Sequence, residues 1–259
     1  MNLSQRRGDI AERLRVEGEA SIAVLADLYG TSEMTIRRDL DYLEGEGLAR
    51  RARGGAIYLH SRAYEPPVHQ RAEVRAEAKA AIGAAAAALV HDGETVILDI
   101  GTTTAAMARA LRPDLEATVV TSSLLIANEL ATKPGLRTIL TGGTVRPGEL
   151  SLVGPRAQEA FAQYHCDTFY LGVAAVAEAG LTEYNEDDAH VKRAAIASAR
   201  RVVVLADATK LGRVTFAAVA PLADVDLLIT DAPGDHPVLC AARALGVEVR
   251  SVGPEKESA

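Results

Sequence analysis

Residues 32–44, SEMTIRRDLDYLE, predict a short helix with one face for a core and the other for a partner. Three aliphatic residues recur at the i, i+4 and i+7 spacing of a packed helical stripe: Ile36, Leu40 and Leu43. Ser32 can cap this helix, because its hydroxyl can accept a hydrogen bond from a backbone N–H of the first turn. Met34 and Arg38 point away from this stripe, and three further residues lie on its flanks: Thr35, Arg37 and Tyr42. This arrangement is typical of a recognition helix.

Two helices are predicted before this stretch and a basic hairpin after it. Residues 4–17 form the first helix. The second begins after the cap Ser21, ends at Gly30, and turns three aliphatic residues inward: Ile22, Leu25 and Leu28. Residues 48–58, LARRARGGAIY, place a basic Gly-Gly turn between short apolar ends, which is typical of a β-hairpin wing. Three helices and a wing within ~55 residues predict a winged helix-turn-helix.

A proline pair divides the chain into two predicted domains. Pro66 and Pro67 are not tolerated inside a helix or a central strand, so we interpret their surroundings as a linker. The predicted parts are a winged helix-turn-helix domain, a linker, a second domain and a frayed tail, over residues 1–60, 61–72, 73–253 and 254–259. Residues 71–90 are rich in alanine, the best helix former, and predict one long helix.

The second domain alternates predicted strands and helices. Seven apolar runs predict the strands: 95–100, 118–121, 138–140, 168–173, 202–206, 227–230 and 247–252. Five helices are predicted between them: 103–111, 123–131, 155–164, 187–199 and 237–245. This alternation is typical of an α/β fold with a mostly parallel sheet covered on both faces. In such sheets ligands bind at the carboxyl ends of the strands.

Composition and charge restrict the classes of function. With 259 residues and 48% hydrophobic content the chain can bury two cores, and no apolar run approaches the ~20 residues of a membrane span. The N-terminus lacks a signal-peptide pattern and the two cysteines lack metal-ligand spacing, so we expect a cytoplasmic protein without a cofactor. The net charge is −7, but residues 1–62 hold ten arginines against ten acids. Such local arginine clusters leave nucleic-acid binding open.

The sequence DIGTTTAAM, residues 99–107, is the sharpest motif of the second domain. A predicted strand ends there, Gly101 allows a tight turn, and three threonines open a helix: Thr102, Thr103 and Thr104. Backbone N–H groups at a helix N-terminus, together with hydroxyls, can bind an anion without a lysine. The alternative is a threonine-capped turn that binds nothing.

Polar residues follow several other predicted strands. A parallel sheet would bring these residues to the same edge: Asp99, Thr121, Ser122, Ser123, Gly142, Gly143, Asp207 and Lys210. Lys192 lies near the start of a predicted helix and could reach the same cleft or simply be solvated. Each residue also has a structural alternative, since Ser123 can simply cap its helix and Gly142–Gly143 can simply turn the chain.

Catalytic and metal sites have weaker support. Asp187 and Asp188 could act as paired carboxylates, but acids in a first helical turn are more often there because the helix dipole favours them. The six histidines are scattered and form no metal-ligand pattern. We therefore expect no metal site.

Together these motifs resemble the DeoR family of bacterial transcriptional regulators over nearly the whole chain. The first domain contributes three motifs: SxxTIRRDL at residues 32–40, GL at 47–48 and RGGA at 53–56. The second domain contributes five: LDxGTTT at 98–104, GG at 142–143, GLT at 180–182, VKR at 191–193 and ADxxK at 206–210. The TIRRDL string is specific for the family, whereas the later motifs are convincing only as an ordered set.

The resemblance implies a winged helix-turn-helix bound to operator double-stranded DNA, and a sensor domain similar to the ribose-5-phosphate isomerase/CoA-transferase-like fold. Members usually repress sugar or polyol catabolism genes and are released by a phosphorylated sugar effector. The expected DNA contacts are Ser32, Met34, Thr35, Arg37, Arg38, Tyr42, Arg50, Arg51 and Arg53. Gly101 to Thr104 would hold the phosphate, and the other polar edge residues with Lys192 would line the remainder. Because one module reads only a few base pairs, we expect a homo-oligomer, a dimer or a tetramer.

Three positions depart from the family pattern. Arg53 stands where the family commonly has a histidine, and Ser122 stands where it often has an asparagine. Residues 172–175, GVAA, are apolar where related isomerases place carboxylates, which counts against the alternative of a sugar-phosphate isomerase with an accessory DNA-binding domain. A protein-interaction module is a further alternative, but it gives no reason for five arginines between positions 37 and 53. We expect a regulator and not an enzyme.

Overall fold

Short helices and a small sheet form the N-terminal part of the computed structural model, which describes residues 3–45, 47–58 and 65–252. The chain divides into two units, Met1–Val74 and Arg75–Ala259. The first unit contains, in chain order, α1 (Leu3–Glu17), β1 (Glu19–Ser21), α2 (Ile22–Tyr29), α3 (Glu33–Gly45), β2 (Ala49–Ala52), β3 (Gly55–Tyr58) and α4 (Val68–Glu73). Its strands form an antiparallel sheet in the order β1-β3-β2. The predicted winged helix-turn-helix is confirmed, with the three-residue strand β1 as an addition that the sequence analysis missed.

The apolar stripes of α1, α2 and α3 meet in one core. Its buried members are Ile10, Leu14, Ile22, Leu25, Ala26, Ile36, Leu40, Leu43, Ala49 and Ala56. The predicted inward position of Leu28 is wrong, because its side chain is 49% exposed. Leu28 lies six residues after Ile22 and therefore about 240° around the helix, whereas Ala26 at i+4 returns to the buried side.

The single helix predicted over residues 71–90 is wrong, because the chain forms two helices there. Between α4 and α5 (Ala76–Ala87), Arg75 adopts the left-handed region with φ 58°, which ends a helical run.

The predicted linker, residues 61–72, contains most of helix α4. Pro67 occupies the N-cap of that helix, where a missing N–H costs no helical hydrogen bond. Residues 61–64 and the predicted tail over 254–259 lie outside the described residues.

The second unit alternates strands and helices as expected. After α5 its elements are β4 (Thr95–Leu98), α6 (Thr102–Ala110), β5 (Ala117–Thr121), α7 (Leu124–Leu130), β6 (Leu136–Leu140), β7 (Thr144–Arg146), β8 (Ser151–Val153), α8 (Pro155–Phe161), β9 (Cys166–Gly172), β10 (Ala175–Ala177), β11 (Gly180–Glu183), α9 (Glu186–Ala197), β12 (Ala199–Leu205), β13 (Ala217–Ala220), β14 (Leu227–Thr230), α10 (Pro237–Ala244) and β15 (Glu248–Ser251). Two small antiparallel sheets, β7-β8 and β10-β11-β13, are not predicted from the sequence, because their strands have only three or four residues.

The seven predicted strands form one parallel sheet in the order β15-β14-β12-β9-β4-β5-β6. Neighbouring residues of a strand enter different cores. Ile97 and Phe169 join a cluster with α8, α9 and α10, whereas Val96 and Leu98 join one with α5, α6 and α7. Helices therefore cover both faces, and the predicted mostly parallel α/β architecture is confirmed.

Gly83 allows α5 to pack closely against α6. A Cβ at this position would lie 2.6 Å from the backbone nitrogen of Met107 and 2.7 Å from the carbonyl carbon of Ala106. We expect Gly83→Ala to lower the free energy of unfolding by ~1–3 kcal/mol through overpacking. The sign is informative, because the same change in an open helix stabilises by up to ~1 kcal/mol.

Urea unfolding measures this effect, with Gly8→Ala in α1 as the control. A Cβ at Gly8 would meet nothing within 4 Å, so that variant is expected to gain stability. A gain in both variants would contradict the close packing of α5 on α6.

Candidate DNA-binding and effector sites

Helix α3 buries one face and leaves the opposite face accessible. Ile36 and Leu40 are 0% exposed, whereas Met34 is 59% exposed. Arg38 is exposed and has no hydrogen-bond or ion-pair partner among the residues that the structure describes. The backbone N–H of Thr35 donates to Ser32 Oγ at 3.2 Å, which confirms the predicted cap. The accessible face of α3 therefore carries a cation that no neighbouring side chain neutralises.

Two other predicted contact residues of α3 have neighbours within the helix. Arg37 is exposed and pairs with Glu33 one turn earlier, with Nη2 and Oε2 3.3 Å apart. An exposed pair of this kind is worth under ~1 kcal/mol, so Arg37 can exchange Glu33 for another anion. Thr35 is half-buried, and its Oγ1 lies 2.9 Å from Ser32 Oγ.

The wing arginines differ from one another. Arg50 and Arg53 are exposed and have no partner within the described part of the chain. Arg51 instead braces the wing against α3, since Nη1 contacts Asp41 Oδ1 at 3.1 Å and donates to the Arg37 carbonyl at 3.2 Å. Arg50 and Arg53 are therefore better placed than Arg51 to contact a ligand.

Asp39 and Tyr42 connect α3 with α1. Asp39 is 1% exposed, and its two carboxylate oxygens accept hydrogen bonds from Arg6 Nε at 2.6 Å and Arg7 Nε at 2.8 Å. The guanidinium of Arg7 also lies 3.9 Å from the centre of the Tyr42 ring. Tyr42, a predicted DNA contact, is thus half-buried against α1 in this structure.

The DIGTTTAAM motif forms the predicted turn between β4 and α6. Gly101 is the N-cap of α6 with φ 110°, a backbone conformation that favours glycine. Thr104 donates to the carbonyls of Ile100 at 2.9 Å and Gly101 at 3.0 Å, so its hydroxyl closes the turn. Thr102 is buried, whereas Thr103 is half-exposed at the start of the helix. Within this motif, Gly101 and Thr103 are the residues that reach solvent.

Lys192 lies at the centre of a buried charge cluster beside this turn. Its ammonium contacts Asp99 Oδ2, Glu183 Oε2 at 3.2 Å and the Gly172 carbonyl at 2.8 Å. Asp99 also accepts from the Gly172 N–H at 3.0 Å. All of the ionised groups in this cluster are at most 7% exposed at their side chains. Lys192 is therefore saturated by protein groups and does not face an open cleft.

Burial has opposite consequences for the two partners of this cluster. Desolvation raises the pKa of Asp99 to about 6, although the Lys192 ammonium acts in the opposite direction. Desolvation lowers the pKa of Lys192, but the carboxylates of Asp99 and Glu183 outweigh it and raise that pKa above its ordinary value. Lys192 thus stays charged while two carboxylates share it.

A second buried cluster lies one helical turn away on α9. Asp188 accepts from Ser151 Oγ at 2.9 Å and pairs with Arg146 Nη2 at 2.5 Å. Burial raises the pKa of Asp188, and Arg146 opposes that rise. Because Arg146 and Ser151 lie on β7 and β8, Asp188 ties this hairpin to the start of α9. The sequence pattern alone predicts only an ordinary first-turn acid at Asp188.

The loops after β5 and β6 use their polar groups locally. Thr121 Oγ1 accepts from the Ser123 N–H at 3.0 Å, and Ser123 Oγ caps α7 by accepting from the Ile126 N–H at 3.2 Å. Ser122 is 2% exposed. Gly142 and Gly143 have φ values of 73° and 118°, so the chain turns there in a conformation that favours glycine.

Asp207 and Lys210 behave differently although they share one motif. Asp207 is 2% exposed and caps a short 3₁₀ turn, accepting from the Thr209 N–H at 3.0 Å. Lys210 is half-exposed, and its Nζ lies 5.8 Å from the centre of the Tyr184 ring. Asp207 is thus structural in this conformation, whereas Lys210 can reach a ligand.

The predicted effector residues fall into two groups. Those that reach solvent are Gly101, Thr103, Gly142, Gly143 and Lys210. Those that are buried are Asp99, Thr102, Thr104, Thr121, Ser122, Ser123, Lys192 and Asp207. The residues of the first group are open to a ligand, whereas the side chains of the second group are enclosed by the protein.

The described residues offer neither a group of metal ligands nor a membrane-spanning helix. Among residues 3–45, 47–58 and 65–252, no three His, Cys, Asp or Glu side chains are grouped so that they could hold a metal ion. Over the same ranges, no helix combines the length and apolar character that crossing a membrane would require.

Two family models match the chain one after the other. A DeoR-like helix-turn-helix domain matches residues 6–62, and a DeoR C terminal sensor domain matches residues 74–232. The chain belongs to the DeoR family. The resemblance carried by the TIRRDL string and the motifs of the second domain is therefore confirmed.

Relatives in the DeoR family span nearly the whole chain. A protein of Escherichia coli O157:H7, provisionally named the aga operon transcriptional repressor, is 36% identical over 253 residues, covering 96% of this chain and 94% of its own. The glycerol-3-phosphate regulon repressor of Escherichia coli K12 is 33% identical over 234 residues, covering 90% of this chain and 92% of its own. A ribose 5-phosphate isomerase from Methanocaldococcus jannaschii aligns with 51% of this chain and 53% of its own, with 20% identity and a TM-score of 0.38. The two DeoR-family relatives are named as transcriptional repressors.

Some residues that organise the DeoR-type domains were missed in the sequence. Asp39 lies beside Leu40 on the apolar side of α3, three residues after Ile36, so its position already signalled a buried ion pair. Asp188 lies four residues before Lys192 on α9, which places both on one helical face. Glu183 carried no such signal, because only the packing of α9 against β11 brings it to Lys192.

Proposed function

We propose that this DeoR-family protein binds operator DNA through α3 and the wing, and represses genes of sugar or polyol catabolism until a phosphorylated sugar releases it. The observation that carries the proposal is the accessible face of α3, where Arg38 has no intramolecular partner in the described structure. An unneutralised arginine on an exposed helix is suited to DNA phosphates or to guanine edges. Arg50 and Arg53 supply further cations from the wing.

The turn at Gly101 supports a phosphorylated effector. Backbone N–H groups at the start of α6 can bind a phosphate, and Thr103 adds a hydroxyl that reaches solvent. Lys210 is the accessible lysine of the predicted set, whereas Lys192 is already saturated. The relative named for a glycerol-3-phosphate regulon is in keeping with a phosphorylated polyol or sugar.

Repression requires more than one DNA-binding module. One recognition helix reads only a few base pairs, and dimers bind half-sites about one helical turn apart. We therefore propose that the protein acts as a homo-oligomer, a dimer or a tetramer, on repeated half-sites.

Arg38→Ala is expected to weaken DNA binding by ~1–3 kcal/mol, which is about a 5- to 150-fold rise in Kd. If Arg38 contacts a phosphate, the loss is similar for operator and random duplexes. If it contacts a base, the loss of affinity is larger for the operator, and base specificity is relaxed at one operator position. Fluorescence anisotropy with the protein's own promoter region and with a random duplex measures both.

Arg200→Ala is the matched control, because Arg200 is 81% exposed on the second unit and the variant removes the same charge. Its affinity for both duplexes is expected to equal that of the wild type. Unchanged affinity of Arg38→Ala for operator and random DNA alike would exclude Arg38 from the interface.

A phosphorylated sugar that binds the native state is expected to raise Tm by about 5–10 °C at ~100 times its Kd. A thermal-shift screen of sugar and polyol phosphates, each beside its unphosphorylated parent, measures this. Thr103→Glu should abolish the shift, because a carboxylate at the start of α6 repels phosphate while the helix dipole favours its charge.

Thr132→Glu is the control for added charge, since Thr132 is exposed at the end of the α7 segment. It should keep the full ligand-induced shift. A broad panel without any shift, or a shift that survives in Thr103→Glu, would count against a phosphate site at the Gly101 turn.

A further inference from the structure

The N-terminal unit holds a second group of arginines, Arg6 and Arg7. We call these two residues, together with Asp39 and Tyr42 that hold them, the arginine platform. Arg6 and Arg7 both direct Nε to the buried carboxylate of Asp39, at 2.6 Å and 2.8 Å. Their side chains are 15% and 23% exposed, so neither is fully enclosed. The platform joins the start of α1 to the middle of α3.

The charges of the platform do not balance. Two guanidinium groups share one carboxylate, and no second acid pairs with either arginine in the part of the chain that the structure describes. A single arginine would be enough to neutralise Asp39. The platform therefore keeps one net positive charge in a partly desolvated position, where an anion is bound more strongly than at an open surface.

The geometry also leaves donors for such an anion. Each contact with Asp39 uses only the Nε group of an arginine, whereas a guanidinium carries five N–H donors in a rigid plane. The Tyr42 ring lies 3.9 Å below the guanidinium of Arg7 and restricts its orientation. Two contacts from α3 thus hold Arg7 in place, and less side-chain entropy is lost on binding.

Asp39 joins the platform to α3, the helix that carries Arg38. Asp39 follows Arg38 directly in α3, so the carboxylate that collects Arg6 and Arg7 is attached one residue from the accessible cation of that helix. Planar guanidinium groups match the geometry of phosphate oxygens. We infer that Arg6 and Arg7 form a second contact with the DNA backbone, in which Asp39 and Tyr42 position the two arginines against phosphates next to those reached by α3. This inference rests on the proposed DNA-binding function.

The test measures the salt dependence of binding to a random-sequence duplex, which requires no knowledge of the operator. Anisotropy titrations of the full chain between about 50 and 300 mM salt give the slope of log K against log salt concentration. Arg6→Ala and Arg7→Ala each leave Asp39 paired with the other arginine. Each variant is expected to reduce the magnitude of the slope by ~0.9 for every bound protomer, the value for one lost phosphate contact.

Arg13→Ala is the matched control on the same helix. Arg13 is 38% exposed and pairs with Glu17 at 2.9 Å, so the variant removes the same charge without touching the platform. Its slope should equal that of the wild type. If Arg6→Ala and Arg7→Ala lower Tm but keep the slope of Arg13→Ala, the pair is only structural and the inference is wrong.

Glutamine variants keep the test decisive if the alanine variants do not fold. Arg6→Gln and Arg7→Gln retain an N–H donor for Asp39 but remove the charge, so the slope should still fall; an unchanged slope overturns the inference. A wild-type protein without salt-dependent duplex binding would overturn the proposed function itself. A different outcome would overturn only the inference about Arg6 and Arg7. In that case the wild type binds DNA normally and Arg38→Ala binds more weakly, but the Arg6 and Arg7 variants have the same slope as Arg13→Ala.

Discussion

Lys192→Met is expected to lower the free energy of unfolding of the second unit by ~3–5 kcal/mol. The variant keeps the length of the side chain but removes the cation that Asp99 and Glu183 share. Both carboxylates are then left in a site that is at most 7% exposed, and uncompensated buried charge is among the costliest changes in a protein. Urea unfolding of the full chain, followed through the transition of the second unit, measures the loss.

The loss should depend on pH in a defined direction. Without Lys192, Asp99 keeps a folded-state pKa above the unfolded value, so the native state binds more protons. Stability then falls as pH rises from the unfolded pKa, near 4, to the folded pKa. Asp99 already titrates at about 6 in the wild type, and removal of Lys192 raises that pKa further. The deficit relative to the wild type should therefore be larger at about pH 8 than at about pH 6.

Lys210→Met provides the matched control, because it makes the same chemical change at a half-exposed position. It is expected to change stability by no more than ~0.5 kcal/mol at either pH. Two results would contradict this account of the cluster. One is a stability change for Lys192→Met that stays within that range at about pH 8. The other is a loss of stability that does not shrink at lower pH.

Leu40→Ala is expected to abolish DNA binding by unfolding the N-terminal unit. Leu40 is 0% exposed at the centre of the small core between α1, α2 and α3. Truncation of a buried leucine to alanine costs ~2–5 kcal/mol. A domain of this size has little stability to lose, so much of the population should unfold at 37 °C.

Calorimetry combined with anisotropy distinguishes this effect from a lost DNA contact. The transition of the N-terminal unit should move to lower temperature while that of the second unit stays in place. Met34→Ala is the control on the same helix, because Met34 is 59% exposed and its truncation should change stability by no more than ~0.5 kcal/mol. Equal thermal shifts in the two variants would contradict the orientation of α3.

Much of the architecture could be predicted because it depends on local patterns. The spacing of Ile36, Leu40 and Leu43 identified the buried face of α3, and continuous apolar runs identified the seven strands of the parallel sheet. The predictions failed where the pattern was too short or too uniform. In the alanine-rich run over residues 71–90, the pattern of residue types does not predict that Arg75 adopts a left-handed conformation and separates two helices.

The candidate sites were predicted less completely, because their chemistry depends on residues far apart in the sequence. Gly101 and Thr103 were recognisable, since a strand, a glycine and a helix N-terminus follow one another directly. The sequence places Lys192 near the strand ends that carry Asp99, but it does not predict that Asp99 and Glu183 neutralise this lysine. Its partner Asp99 is 93 residues away, and nothing local shows that the two side chains neutralise each other.

The sequence by itself determined the family, the two folds and the recognition helix, because each depends on residue type at short, regular spacing. Only the tertiary structure decided which charges are available to ligands. Packing puts Lys192 between Asp99 and Glu183 and draws Arg51 to Asp41, while Arg38 and Lys210 stay accessible. Packing also brings Arg6 and Arg7 together on Asp39 of α3, the helix that carries Arg38. The reason is that a charge is neutralised by what lies within a few ångströms in space, and the order of residues in the chain does not specify that distance.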